Sequence, residues 1–225
     1  MFYSYPDGSL ALNGVSLSLE LGEKLAVIGA NGSGKSTLLA HLAGCFVVKN
    51  GEILLFEEPV GRKPERLRNS VGMIFQDPDD QLFMPKTLED VAFGLVSRGM
   101  DVAKAHELAM GILEELLVPH LAHRSPHRLS GGEKRMVALA GILVTSPEIL
   151  ALDEPSAALD PRARRRVINV LKSLSQSMVI ATHDLDLALD VCSSAVVLND
   201  GRVTACGKLP ELLQNESLLL ENGLF

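Results

Sequence analysis

The chain has 225 residues, 47% of them hydrophobic, which suits one domain with a real core. Its formal net charge of -7 argues against nucleic-acid binding through a broad basic surface, because phosphate neutralisation dominates such affinity. The longest apolar stretch, Met136 to Val144, is about half of the roughly 20 residues a membrane span requires.

The N-terminus opens with tyrosines, Pro6 and Asp7 and has no signal-peptide pattern. Cys45, Cys192 and Cys206 are scattered without metal-type spacing and fit reduced thiols. The expectation is a soluble intracellular chain that can still dock on a membrane protein. Leu12, Val15, Leu17 and Leu19 alternate with small or polar residues beyond a turn at Asp7-Gly8. This pattern predicts two antiparallel strands in residues 1–24. Tyr5 has two readings, stacking on a nucleobase or filling the core from an edge strand.

Leu25-Ala26-Val27-Ile28 reads as a buried strand and Leu38 to Ala43 as the start of a helix. Between them lies Gly29-Ala30-Asn31-Gly32-Ser33-Gly34-Lys35-Ser36-Thr37, of the form G-x4-G-K-S. This is the strand–loop–helix setting of a phosphate-binding P-loop. Glycines let backbone N–H groups close on phosphate oxygens, and the helix N-terminus adds partial positive charge. Lys35 is expected on the β- and γ-phosphates and Ser36 on Mg²⁺.

Gly51 to Phe56 predicts a strand, Leu67 to Val71 a polar loop, and Gly72 to Phe75 a short strand ending on Gln76. A glutamine there stands where open parallel sheets place ligands. It either holds Mg²⁺ or orients water, or is a solvated loop residue. An acidic turn, Asp77 to Gln81, follows. Thr87 and Asp90 resemble a helix start. Ala103 to Leu117 carries apolar residues at helical spacing. Residues 77–145 are therefore expected to form a helical subdomain inserted in an α/β core. His120, His123 and His127 lie in a proline-containing loop without a carboxylate or cysteine among them, so a metal site is not expected.

Ser130 and Glu133 make an S-x-x-E capping box around Gly131 and Gly132. Two glycines at a helix start leave bare N–H groups outward, a second anion site. Ile149 to Leu152 is an apolar run ending in Asp153 and Glu154, expected as a central parallel strand. Asp153 is placed to bind Mg²⁺ beside the P-loop, and Glu154 to polarise an attacking water. Asp160 before Pro161 is a helix N-cap. Met178 to Thr182 is another buried strand, ending in His183, a candidate γ-phosphate contact. Ala195 to Leu198 and Arg202 to Ala205 form a closing hairpin around Asn199-Asp200-Gly201, with a short terminal helix beyond.

The P-loop, Gln76, Leu129-Ser130-Gly131-Gly132-Glu133, Leu150-Ala151-Leu152-Asp153-Glu154-Pro155 and Ala181-Thr182-His183-Asp184 stand in one order that resembles the nucleotide-binding subunits of ATP-binding cassette (ABC) proteins. The resemblance covers essentially the whole chain. It implies a single ABC ATPase domain: a P-loop NTPase core with a mostly parallel sheet, an antiparallel N-terminal β-subdomain and an inserted helical subdomain. It further implies an ATP sandwich dimer, with each ATP between one copy's P-loop and the other's signature helix. Tyr5 is then the adenine-stacking aromatic, and Gly29 to Thr37 are Walker A. Ser130, Gly131 and Gly132 reach the opposite γ-phosphate. Asp153 is Walker B, Glu154 the catalytic base, Asp160 the D-loop aspartate and His183 the switch histidine. ATP and Mg²⁺ are the implied ligands.

The stretch from Val71 to Phe83, VGMIFQDPDDQLF, followed by TLEDVAFG, is similar to the ATPase subunits of energy-coupling factor importers. Ala30, Phe56 and Met136 depart from common residues at their positions without touching a catalytic one. The short C-terminal end leans toward a cobalt or nickel importer working as a homodimer. A vitamin-type heterodimer and a cytosolic ABC ATPase of an assembly complex are the alternatives. The implied membrane-embedded partner docks near Gln76 to Met84, where Leu82, Phe83 and Met84 are either exposed docking candidates or core packing of the helical subdomain. The chain is thus expected at the cytoplasmic face of the membrane.

Overall fold

The structure, a computed structural model, describes residues 1–61 and 63–224. Strands β1 (Phe2–Ser4) and β2 (Leu10–Asn13) pair antiparallel. The alternation beyond them does not continue as strand. Gly14 takes φ 80°, and Gly14 and Val15 donate to the Met1 carbonyl instead. Leu17 and Leu19 pack half-buried on the core from irregular backbone.

Strand β3 (Lys24–Ile28) leads through the glycine loop into helix α1 (Lys35–Leu42). Only Leu54–Leu55 of the expected 51–56 strand forms β4, pairing with β5 (Glu58–Pro59). Left-handed Phe56 and Glu57, at φ 52° and 64°, turn the chain back at once. The expected loop at Leu67 to Val71 is mostly helix α2 (Pro64–Ser70). Pro64 in its first turn presets the helical φ. Leu67 is its one buried residue, so no apolar period reveals the helix.

Strand β6 (Val71–Ile74) precedes helices α3 (Thr87–Ser97), α4 (Val102–Glu115) and α5 (Gly131–Leu143). Thr87 does not cap α3. Lys86 holds that position, Thr87 Oγ1 donates to the Arg124 carbonyl, and Asp90 accepts from the amides of Phe83 and Met84. The chain then alternates through β7 (Ile149–Asp153), α6 (Pro161–Ser173), β8 (Ser177–Thr182) and α7 (Leu185–Val191). It closes with β9 (Ser194–Asn199), β10 (Arg202–Lys208), α8 (Leu209–Leu213) and α9 (Glu216–Glu221).

The main sheet has the order β10-β9-β3-β8-β7-β6. β3 runs parallel to both β8 and β9, and β7 parallel to β8, while β10 runs antiparallel to β9. Strands covered on both faces read as continuous apolar runs, as β3, β7 and β8 do. Their shared direction brings Ile28, Asp153 and Thr182 to one edge of the sheet, where open α/β sheets bind ligands.

Two compact units form. The first comprises Met1–Met73, Glu148–Glu154 and the chain from Ser175. Its core is built from Leu12, Val27, Leu39, Ala151, Val179 and Val196, among others. The second comprises Ile74–Pro147 and Pro155–Leu174, so α6 clusters with α3, α4 and α5. In it α5 is central, packing on α3, α4 and α6.

Candidate active site

The glycine loop is shaped by close contacts. A Cβ on Gly29 would stand 2.1 Å from the Leu198 carbonyl oxygen, and one on Gly34 would stand 2.5 Å from that of Ala11. Gly32 and Gly34 also take left-handed φ values of 82° and 106°. Such a path is closed to side chains and lets backbone amides come close to a ligand, while the Ser33 amide donates to the Ala30 carbonyl at 3.2 Å. No side chain among the described residues caps α1. Ser33 Oγ is buried and has no hydrogen-bond partner among the described residues. An uncapped helix start, an orphaned buried hydroxyl and a bare backbone cradle fit a phosphate chain. Asn31 and Ser36 are exposed, and Thr37 is buried.

Lys35 is 6% exposed, and its Nζ donates to the carbonyls of Gly29 at 2.8 Å and Ala30 at 3.0 Å. Burial lowers its pKa, while the nearby Glu154 and Asp153 carboxylates pull it back up. The ammonium is thus held over its own loop.

Asp153 ends β7 and is 4% exposed. Glu154 follows at φ 45°, a left-handed conformation that costs a side-chain-bearing residue about 1–2 kcal/mol. Its amide donates to the Ala181 carbonyl at 2.9 Å, which holds the turn. Glu154 is 5% exposed, and both of its carboxylate oxygens have partners. Oε2 accepts from Thr182 Oγ1 at 3.0 Å, and Oε1 from the His183 amide at 3.0 Å. His183 Nδ1 lies 2.8 Å from the same Oε1, while 61% of its side chain remains exposed. Lys35, Asp153, Glu154 and His183 all belong to the first unit. Thr182 is a partner of Glu154 that its place in an apolar strand did not reveal; a hydroxyl ending such a run was the only signal.

Tyr5 is 37% exposed, and its hydroxyl lies 2.8 Å from Thr37 Oγ1. The ring is therefore neither buried core nor free, but tied to the end of the glycine loop.

In the second unit, Ser130 caps α5 in the expected box. Glu133 N donates to Ser130 Oγ, and Ser130 N and Oγ donate to Glu133 Oε2 at 2.8 and 2.9 Å. These bonds lower the Glu133 pKa. The serine hydroxyl proton is thus committed to Glu133, which leaves the outward donors to the first amides of the helix. Asp160 caps α6 through the amides of Arg162 and Ala163 at 2.9 and 3.0 Å. Gln76 is exposed, and its backbone oxygen accepts from Arg135 Nη2 at 2.7 Å; Nη1 takes the Phe75 oxygen at 2.6 Å. Arg135 is only 2% exposed. A charged residue inside the apolar face of α5 is the sequence signal for this anchor.

The expected exposed trio is corrected. Leu82 is 5% exposed and belongs to the core, Met84 is half-buried, and Phe83 is 60% exposed. Phe93 from α3 joins it, with ring centroids 4.8 Å apart and nearly perpendicular.

These features define an ABC-type ATP-hydrolysing cassette, and the chain belongs to the ABC transporter family, whose model matches residues 12–157. A Geobacter sulfurreducens chain with the provisional name ABC transporter ATP-binding protein is 46% identical over 96% of this chain and 88% of its own length. The energy-coupling factor transporter ATP-binding protein EcfA of Methanothermobacter thermautotrophicus is 42% identical, covering 99% of this chain and 73% of its own. Among solved structures, cbiO1 from Clostridium perfringens, part of the ABC transporter complex cbiONQ, superposes with a TM-score of 0.84 at 35% identity, over 99% and 92% of the two chains. An ATP-binding cassette solved as a dimer in a post-hydrolysis state with ADP and Pi gives 0.81 at 27% identity, over 92% and 95%. No helix among the described residues is long and apolar enough to cross a membrane.

Proposed function

We propose that this chain is the ATPase of an energy-coupling factor importer, working as a homodimer at the cytoplasmic face of the membrane and driving uptake of cobalt or nickel ions. The likeness to EcfA and to cbiO1 supports the importer class. The cargo never touches the ATPase and the names of these relatives give none, so the metal reading stays the expectation drawn from the sequence resemblance. The vitamin-type heterodimer remains the competing reading.

The observation that carries the ATP-hydrolysing part of the reading is the Glu154 carboxylate, one residue past Asp153 and held by Thr182 and His183. ATP would lie along the glycine loop, its phosphates taking the loop amides and drawing Lys35 from the Gly29 and Ala30 carbonyls. Tyr5 would stack on the adenine. Ser36 and Asp153 would hold Mg²⁺, which neutralises phosphate charge when bound. Glu154 would accept the proton of the attacking water, while His183 orients that carboxylate and reaches the γ-phosphate. Gly131 and Gly132 would offer amides to the γ-phosphate of the opposite copy, with Ser130 and Asp160 shaping the helix starts beside them. The exposed Phe83–Phe93 pair, whose Phe83 follows the Arg135-anchored Gln76 by seven residues, would receive the membrane-embedded subunit.

Steady-state ATPase assays on Glu154→Gln test the base. The amide keeps size and the Thr182 contact but cannot take a proton, so turnover should fall by about 10²-fold or more. Parental turnover would refute the assignment. Co-purification of the membrane partner, with its cargo identified by metal analysis, separates the cobalt or nickel reading from the vitamin one.

A further inference from the structure

Behind Tyr5 stands a group of rings that the phosphate chemistry does not use. Tyr3 meets Tyr5 edge to face, with centroids 5.1 Å apart and planes at 81°. Phe46 stacks on Tyr3, with centroids 5.4 Å apart and planes only 10° from parallel. His41, 1% exposed, closes the cluster at 4.6 Å from Tyr3 and 5.3 Å from Phe46. Its Nδ1 lies 2.8 Å from the carbonyl of Thr37, the residue whose hydroxyl holds Tyr5. Two ties thus meet at Thr37, one from the exposed ring and one from the buried base of the cluster.

We propose that Tyr3, backed by Phe46 and His41, is a positioning residue that fixes the ring of Tyr5 for the nucleobase, so that base recognition and the end of the phosphate loop form one preorganised surface. The proposal rests on Tyr5 being the adenine-facing residue. A ring free to rotate must be immobilised on binding, and that cost is subtracted from affinity. A ring already clamped by an edge contact and a hydroxyl bond does not incur it. Tyr3 does not touch the nucleotide in this account; it acts only through Tyr5.

The chain has two tyrosines and no tryptophan. Tyr3→Phe and Tyr3→Leu therefore each leave Tyr5 as the sole tyrosine emitter, and its emission reports base stacking directly. The experiment titrates ADP and, separately, inorganic pyrophosphate into both variants by calorimetry, with tyrosine emission followed in the ADP series. Tyr3→Phe keeps the edge contact and should bind ADP like the parent, with a change in Tyr5 emission. Tyr3→Leu should bind ADP roughly two- to tenfold more weakly, the range that one aromatic pair supports. Its pyrophosphate affinity should match that of Tyr3→Phe, because the loop is intact. Equal ADP affinity in the two variants would overturn the proposal. So would a pyrophosphate loss as large as the ADP loss, which would mean general damage to the fold. Tyr5→Ala separates the two layers: if it leaves ADP affinity unchanged, the base-stacking reading itself falls and the positioning role with it. If Tyr5→Ala weakens ADP but Tyr3→Leu does not, only the positioning role falls.

Discussion

Gly131 and Gly132 open the same helix, yet their neighbours predict opposite consequences for a single added methyl. A Cβ on Gly132 would stand 2.5 Å from Ala163 Cβ, whereas one on Gly131 meets nothing among the described residues nearer than Leu159 Cδ2 at 3.9 Å. Carbon atoms in contact prefer about 3.5–4.0 Å. Gly132→Ala must therefore part α5 from α6 by about 1 Å or more, since a methyl on a helix has no rotamer by which to retreat. Overpacking of this kind costs about 1–3 kcal/mol. The better helix propensity of alanine offsets up to about 1 kcal/mol of that. The net expectation is a loss of about 1–2 kcal/mol in urea unfolding, with α5 displaced at the end that is proposed to face the second ATP. Gly131→Ala should leave stability unchanged or slightly raised. Its methyl would nevertheless stand among the amides offered to phosphate, so ATPase turnover should fall in both variants. Urea titrations and steady-state ATPase assays on the pair read both effects. A Gly132→Ala protein as stable as the parent would refute the rigid approach of α5 to α6. Parental turnover in Gly131→Ala would refute the phosphate-facing role of that helix start.

Two further outcomes are expected. Glu133 has a lowered folded-state pKa because Ser130 donates to it twice, so its contribution to stability is present above the ordinary value of 4.5 and is lost as pH falls through the lowered one. Unfolding midpoints followed from pH 6 down toward about pH 3 should therefore drop less steeply in Glu133→Gln, which keeps an uncharged capping acceptor; identical slopes would contradict the cap's charge dependence. Cys192 is 8% exposed, and burial pushes its thiol up to about 12, whereas Cys206 is exposed. Iodoacetamide at pH 8, read by mass spectrometry, should label Cys206 in the folded protein and Cys192 only after denaturation, because the thiolate is the reacting species; equal labelling of the two would show that the buried site opens readily.

The residues with strong local chemistry were readable from sequence. A G-x4-G-K-S loop between an apolar run and a helix start has one physical solution, and the S-x-x-E box capped α5 as spacing predicted. The continuous apolar runs 25–28, 149–152 and 178–182 became parallel neighbours in one sheet because nothing polar interrupts them. Weak periodicity hid the rest. Helix α2 buries only Leu67, and the 51–56 strand is cut short by two left-handed residues with no glycine to announce the turn at Phe56 and Glu57. Thr87 resembles a cap but spends its hydroxyl on Arg124, a partner 37 residues away. Long-range partners of this kind leave no trace in spacing. Phe93 beside Phe83 is another, while Thr182 on Glu154 and Arg135 on Gln76 show in sequence only as a polar residue in an apolar setting, with the partner unnamed.

The most direct test of the central claim uses Glu154→Gln, which should bind ATP without consuming it. Light scattering of the purified variant with and without Mg-ATP should show a monomer that becomes a dimer only when nucleotide is present, as a symmetric sandwich of two copies requires. A mass that stays monomeric in excess Mg-ATP, with ATP binding demonstrated in the same sample, would contradict the homodimer.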